Sequence, residues 1–486
     1  MRDTFQRLLK LAAGYSLVTL IGPLFTIVLT PLYTRVLTLD DYGIVSVCLT
    51  LSGLLGVIVL LSMDQAIALH FFDGDEQHKR TVVTTAVVYV GAAGLATGCI
   101  VFALAEPLAL LLFKDPTRRI TLQLLAMLVV CAPLYAVLTA ALRLRMGVRR
   151  VNALGLAYLL SYVGLNVLFV LILRLKVTGI IAANVLANVT GVGVGLALFW
   201  RPLRGTFELR CLQPLLRGGL GLVPGVIGYV MLANIDRLLL TQYVDKSLIG
   251  LYDIANRLSS MLYVGFSALW SAWWPMALEM THRPDAPRQY ARIFEYFAAA
   301  SMLAALALGL FAPEILRVFT RQPYVAAAPL AMVLMIYSGP LAFMNGSFQI
   351  GLFVRKRTRW ISIASLISAG LNIVLNVILD PYLGVWGATW ATVAAGLVFS
   401  AIVYAAGQHA LFVDYRWLRT LALGACYLSL LGIFGGLLGP LSAGSRALAV
   451  ALFASAIFAV GFVRWSQFAT GIHMVTRWLA AREVAR

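Results

Sequence analysis

Residues 81–113 read TVVTTAVVYVGAAGLATGCIVFALAEPLALLLF, with Glu106 the one charged side chain in the stretch. A helix crosses the hydrocarbon of a bilayer with about 20 apolar residues. This stretch is apolar on every side, as a lipid-embedded helix must be and a surface helix of a soluble protein is not. The rest of the chain repeats the pattern. Its 486 residues are 61% hydrophobic and 12% charged, and the mean hydropathy is +0.90. That balance excludes a soluble enzyme, a disordered chain and a disulfide scaffold. Cys48, Cys99, Cys131, Cys211 and Cys426 show no C-x-x-C spacing, and the five histidines are scattered, so neither a metal site nor a cofactor is expected.

Apolar runs of spanning length centre near Ile21, Leu54, Gly91, Val129, Tyr162, Val189, Gly228, Val264, Leu303, Met335, Ser368, Ala394, Leu430 and Leu452. The expectation is an all-α polytopic membrane protein with about 14 transmembrane helices and short polar breaks. The run Ala12 to Val36 is too long for a cleavable signal, and another span follows it at once. Lys and Arg number 38 against 20 Asp and Glu, a net charge of +18. In a soluble protein that excess would suggest nucleic acid; here it sits between spans and points to the positive-inside rule and an anionic cargo. With the N-terminus in the cytoplasm, 26 basic residues fall inside, 10 outside, and Arg237 and Arg257 lie within apolar runs. Both termini are therefore expected in the cytoplasm.

The chain also contains itself. Gly164-Leu165-Asn166 recurs as Gly370-Leu371-Asn372, and Arg149-Arg150 as Arg355-Lys356, both 206 residues on. Gly43 pairs with Gly250 at 207, and Gly179, Ala183 and Gly191 pair with Gly384, Ala388 and Gly396 at 205. Ala105-Glu106-Pro107-Leu108 is similar to Ala312-Pro313-Glu314-Ile315. An even number of spans per copy makes the repeat parallel: two six-helix lobes, 1–205 and 206–410, followed by 411–486 with two further helices and a tail. Such repeats characterise transporters, with the substrate between the halves.

Pro31-Leu32-Tyr33-Thr34-Arg35-Val36-Leu37 with Asp41-Tyr42-Gly43, Asn234 to Leu239 with Ile249-Gly250-Leu251-Tyr252, and Asn372 to Asn376 with Pro381 and Gly384 to Ala388 resemble motifs of Wzx-type polysaccharide flippases. These belong to the multidrug/oligosaccharidyl-lipid/polysaccharide exporter (MOP) superfamily. The resemblance runs from about Leu11 to Ala406. Ala255-Asn256-Arg257-Leu258 resembles a motif of the lipid II branch, whose arginine faces a central cationic cavity, although that branch's first-helix motif is not evident here. The resemblance implies a polyprenyl-diphosphate-linked oligosaccharide as cargo, moved across a bacterial inner membrane for surface polysaccharide, with polymerase or export machinery as partners. It implies a transporter and not an enzyme.

An ionisable side chain at mid-membrane costs roughly 2.5–3.5 kcal/mol or more, so it faces the protein interior. Arg257 lies about 13 Å beyond Leu248 at 1.5 Å per residue. Its two readings are a phosphate ligand, for which its planar fork is suited, and a two-residue strut with Asp253 one turn earlier. Asp236 and Arg237 are adjacent, so only one is expected to face the cavity, Arg237 by preference. Arg35 belongs to the outer mouth, where anchoring a headgroup and touching substrate are equal readings. Asp64 ends the second span and reads as a solvated helix end before a coupling carboxylate; Asp253 and Asp236 are charge partners or ion-coupling groups of the same kind, for H+ or Na+. Asp40-Asp41 reads as a helix cap, Asn166, Asn372 and Asn376 as interhelical hydrogen-bonding groups before sugar ligands, and Trp270, Trp273 and Trp274 as an interface belt. No G-x-x-x-x-G-K stretch is present, so the energy comes from a gradient or the membrane potential. The alternatives are a multidrug/ion antiporter, which would favour an acidic cavity, and a polymerase or glycosyltransferase, which needs long outer loops. In a cysteine-free background, single cysteines at Arg145 or Lys356 should label from the cytoplasm only; labelling from outside would reverse the orientation.

Overall fold

The computed structural model describes residues 29–145, 148–199, 205–437 and 442–461. All the regular structure among them is helical. Residues 29–36 form α1. There follow α2 (Leu39–Leu60), α3 (Met63–His70), α4 (Glu76–Ala103), α5 (Ala105–Phe113), α6 (Arg119–Arg145), α7 (Val148–Asn166), α8 (Lys176–Phe199) and α9 (Leu209–Leu240). The second half holds α10 (Lys246–Glu279), α11 (Ala286–Leu310), α12 (Ala312–Phe319), α13 (Ala328–Ile336), α14 (Ala342–Val354), α15 (Arg359–Leu383), α16 (Val385–Ala410), α17 (Trp417–Gly432) and α18 (Ala443–Ala459).

The chain is an all-α polytopic membrane protein. Among the described residues, 11 helices are long and apolar enough to span a bilayer; the 34-residue α10 and the shorter α18 occupy two further expected spans. Every run centre from Leu54 to Leu452 falls inside a described helix, and the first, at Ile21, lies outside the described residues. Several spans are broken. Leu61 (φ 44°) and Ser62 (φ 57°) take left-handed backbone between α2 and α3, a conformation costly for side chains with a Cβ. A wide-turn segment, Tyr337–Leu341, carrying Pro340, joins α13 to α14, as expected where a proline removes a helix hydrogen bond.

Two compact units form. One holds the described residues up to Arg257 with Leu316–Ala327 and Thr358–Phe399; the other holds Leu258–Ile315, Ala328–Arg357 and the described residues from Ser400 onward. In the second unit α11 is the hub, touching α13, α14, α17 and α18. Arg446 at the start of α18 grips Glu314 of α12 with both carboxylate oxygens, at 2.6 and 2.8 Å. Trp270, Trp273 and Trp274 also belong there. They pack on Tyr290, Phe297, Phe343 and Phe353, an aromatic cluster between helices where the sequence suggested an interface belt.

In the first unit α6 lies between α4 and α8, α7 packs on α8, and α9 packs along α15. Glycine sets the α9–α15 spacing: a Cβ on Gly228 would come within 2.8 Å of the Leu366 backbone nitrogen. Ser365 of α15 donates to the Gly225 carbonyl of α9, and Asn376 donates to Asp236, both at a separation of 140 residues. A constant separation means that the two helices run in the same direction. At the other contact, α2 meets the start of α10 backbone to backbone. A Cβ on Gly43 would overlap the Lys246 carbonyl, and one on Gly250 would overlap the Leu39 carbonyl. The contact is reciprocal, each glycine lying four residues beyond the carbonyl that faces its partner. Thr38, rather than the acidic pair, caps α2: its hydroxyl accepts from Asp41 N at 3.2 Å, and the Asp41 carboxylate accepts from Thr38 N at 3.3 Å. Such a capping box satisfies two otherwise orphaned donors.

Candidate functional site

The polar centre of the first unit is built where α9 and α10 face each other. Asp253 is buried and accepts two charged hydrogen bonds, from Arg237 Nε to Oδ1 and from Arg257 Nε to Oδ2, each 2.8 Å. The Arg257 bond follows from helical spacing, since residues four apart share a face. The Arg237 bond crosses from α9. The expected two-residue strut is therefore a triad, two guanidinium groups on one carboxylate. Arg237 also donates to Asn234 Oδ1 at 3.1 Å and to the Ala233 carbonyl, so its charge is held by acceptors on its own helix as well. The Arg237 side chain keeps 8% of its surface and Asp253 6%, whereas Arg257 keeps 21%. The Arg257 guanidinium lies over the Tyr42 ring, 5.4 Å from its centroid, a favourable cation–π placement. Tyr42 in turn meets the Tyr324 ring edge-on at 5.9 Å, and the Tyr324 hydroxyl donates to the Leu37 carbonyl.

Asp236 is buried on another face of α9. Its Oδ2 accepts from the Tyr252 hydroxyl at 2.6 Å and from Thr392 Oγ1 at 2.7 Å; its Oδ1 accepts from Asn376 Nδ2 at 3.1 Å. Adjacent residues point about 100° apart on a helix, and α9 has polar partners on both faces, so Asp236 and Arg237 are both inward. Asp380 joins this second cluster. It is 1% exposed, neither carboxylate oxygen has a hydrogen-bond partner, and it interacts electrostatically with Asp236. Two buried carboxylates near each other cannot both stay charged without a cation or a shared proton. Asp236, Asp380, Asn376 and Thr392 offer oxygen ligands, the donor type of a hard cation. No group of three or more His, Cys, Asp or Glu side chains is poised for a metal among the described residues.

Tyr252, Thr392 and Asp380 were not singled out in the sequence. For Asp380 a signal exists: Asn372, Asn376 and Asp380 recur every four residues and draw one polar row along an otherwise apolar helix. The structure does not bring Arg35 or Asp64 to the triad. Arg35 is exposed near the end of α1, and Asp64 is half-buried in the first turn of α3, where a helix N-terminus favours a carboxylate. Asn166 and Asn376 both bond between helices, Asn166 by accepting from the Tyr33 hydroxyl at 2.7 Å.

Residues 32–273 match the family described as polysaccharide biosynthesis protein. Among solved structures the chain is similar to the lipid II flippase MurJ in an inward closed conformation, with TM-score 0.70 and 13% identity over 94% of this chain and 99% of that one. It is similar to a multidrug resistance MATE family transporter of the MOP superfamily in an inward-facing conformation, with TM-score 0.69 and 13% identity over 84% and 96%. A MOP superfamily transporter from Pyrococcus furiosus with a binding pocket of reverse polarity aligns with TM-score 0.58 and 13% identity over 82% and 94%. No curated protein matches the sequence.

Because Asp253 serves both arginines, losing it strands two cations, and Asp253→Ala should destabilise the protein by roughly 3–5 kcal/mol. Arg257→Ala, which leaves the Arg237–Asp253 pair intact, should cost less. Thermal unfolding midpoints of the purified variants decide; equal midpoints would contradict the triad.

Proposed function

We propose that the chain, whose residues 32–273 match a family of polysaccharide biosynthesis proteins and whose fold is that of MOP superfamily transporters, flips a polyprenyl-diphosphate-linked oligosaccharide. The cargo moves from the cytoplasmic to the outer leaflet of a bacterial inner membrane, with both termini of the protein in the cytoplasm. The observation that carries the reading is the triad. Two arginines on one carboxylate leave a net positive charge inside the membrane, and Arg257 is its accessible member. A diphosphate cannot enter hydrocarbon unless its hydration is replaced. A guanidinium fork replaces it with charge-assisted hydrogen bonds and stays protonated at any physiological pH. The Asp253 carboxylate keeps Arg257 in place before the cargo arrives. The lipid tail needs no such help and stays in the bilayer.

Alternating access follows from rocking of the two repeats, 1–205 and 206–410, about their shared cargo site. The reciprocal Gly43–Gly250 contact is suited to closing one side, because backbone meets backbone there with no side chain between. The energy source is a cation or proton taken up between Asp236 and Asp380, whose mutual repulsion it relieves. Handing Tyr252, Asn376 and Thr392 a charged or neutral Asp236 changes how α10, α15 and α16 are held together. A multidrug antiporter for cationic compounds is the weaker reading, since the net charge of the triad repels such cargo.

Arg257→Ala should abolish surface polysaccharide while the protein remains in the membrane at normal level. Arg257→Lys should restore only part, because an ammonium lacks the bidentate geometry; full export by Arg257→Ala would remove the triad from the cargo path. For coupling, Asp380→Asn should abolish the dependence of export on Na+ or pH while leaving the binding of farnesyl diphosphate to the purified protein unchanged. Export that keeps its ion dependence in this variant would exclude Asp380 as the coupling group.

A further inference from the structure

Tyr158, Tyr162 and Asn166 recur every four residues along α7 and so share one face. Leu156 and Leu160, exposed at 46% and 67%, lie two residues from the tyrosines, about 200° around the helix. That exposed leucine face is the lipid side of α7, and the tyrosines turn inward. Tyr135 of α6 meets them: its ring stacks on Tyr158 at 4.7 Å with 16° between planes, and Tyr158 is parallel to Tyr162 at 6.1 Å and 4°. Packed cores favour edge-on ring contacts as well as offset stacks, and elsewhere in this chain the described pairs are edge-on or tilted, as at Tyr42–Tyr324. The tyrosine column is the one place where three rings lie parallel among the described residues.

Its rings are not sealed in the core. All three rings are half-buried. At 6.1 Å the Tyr158 and Tyr162 rings are displaced sideways rather than eclipsed, so each keeps part of a face uncovered. The back of Tyr135 is closed by Gly191 of α8, where a Cβ would come within 2.6 Å of the ring. Its other end lies toward the triad. The Tyr162 hydroxyl is 3.3 Å from that of the buried Tyr33, and Tyr162 lies within electrostatic range of Arg257. Asn184 and Asn188 stand one turn apart on the adjoining α8, each donating one N–H to its own helix, and the Asn188 side chain also bonds Tyr158; an amide carries a second N–H and a carbonyl acceptor.

We propose that Tyr135, Tyr158 and Tyr162 form a stacking ledge for the uncharged sugar rings of the cargo, beside the cationic triad. A pyranose presents a C–H face that packs on an aromatic ring and hydroxyls around its rim that amides and phenols can satisfy. A row of displaced parallel rings accepts successive sugars with little regard to their identity, as aromatic platforms accept successive bases of a nucleic acid. The ledge thus holds the glycan while Arg257 holds the diphosphate. This assignment rests on the flippase reading of the triad.

Two probes separate the parts: farnesyl diphosphate, and farnesyl diphosphate bearing one N-acetylglucosamine, titrated into the protein in nanodiscs free of sugar detergents. The wild type should bind the sugar-bearing probe about tenfold more tightly, the scale of one or two aromatic stacking contacts. Tyr158→Leu and Tyr162→Leu should lose that preference and keep the affinity for farnesyl diphosphate; Tyr158→Phe and Tyr162→Phe should retain both. Equal affinity of the wild type for the two probes, or a preference that survives in the leucine variants, would overturn the ledge and leave the flippase reading standing. Leucine variants that lose both probes together with a lower unfolding midpoint would make the tyrosines packing residues and likewise overturn it. Failure of the wild type to bind farnesyl diphosphate would instead overturn the flippase reading, and the ledge with it.

Discussion

The α9–α10 centre of the first unit is arranged around the cost of leaving a bare charge in hydrocarbon. Asp253 answers for two guanidinium groups at once, 2.8 Å from each, and in doing so fixes the register of α10 against α9. Arg257, held on the same helix, lies over Tyr42 and draws in α2. Asp236, one residue from Arg237, binds Tyr252, Asn376 and Thr392 and so ties α9 to α10, α15 and α16. Apolar packing alone would not choose among rotations of such helices, because lipid is as apolar as leucine. The buried charges choose.

The spans were legible because hydropathy is a local property. A run such as residues 81–113 needs no knowledge of its neighbours to be recognised, and thirteen of the fourteen expected centres fall in described helices. The Gly43–Gly250 correspondence was legible as a repeat, though nothing local said that the two glycines would touch. The site was legible only in outline. Arg257 and Asp253 share a turn, so their bond could be foreseen; the Arg237 bond joins two helices and could not. Adjacency made it natural to send one of Asp236 and Arg237 inward, but a helix with polar neighbours on both sides admits both. The tryptophans of α10 differ again, since an aromatic row in the sequence does not say which rings it will pack on.

Helix proximity here is set by glycine, and the two uses of it differ. Against α15, glycines on α9 admit serine hydroxyls and backbone, giving a long contact that a constant separation of 140 residues keeps in register. Between α2 and α10 a single glycine on each side admits the other's carbonyl. The first arrangement is extended and side-chain bonded; the second is a backbone point contact next to the Arg257–Tyr42 cation–π placement. A protein that must separate one pair of helices while keeping another together has reason to build them in these two ways.

The α9–α10 ion pair also bears on how the chain reaches the membrane. Arg237 sits near the end of α9, and its carboxylate partner is synthesised sixteen residues later. As α9 leaves the ribosome it carries a cation whose main counter-charge does not yet exist, whereas α10 brings Asp253 and Arg257 already paired on one turn. The earlier helix is thus the harder of the two to release into lipid alone. Delivery of α9 and α10 as a hairpin, across the short turn between Leu240 and Lys246, spares the bilayer an unpaired guanidinium. The position of one aspartate thus favours the insertion of α9 and α10 together.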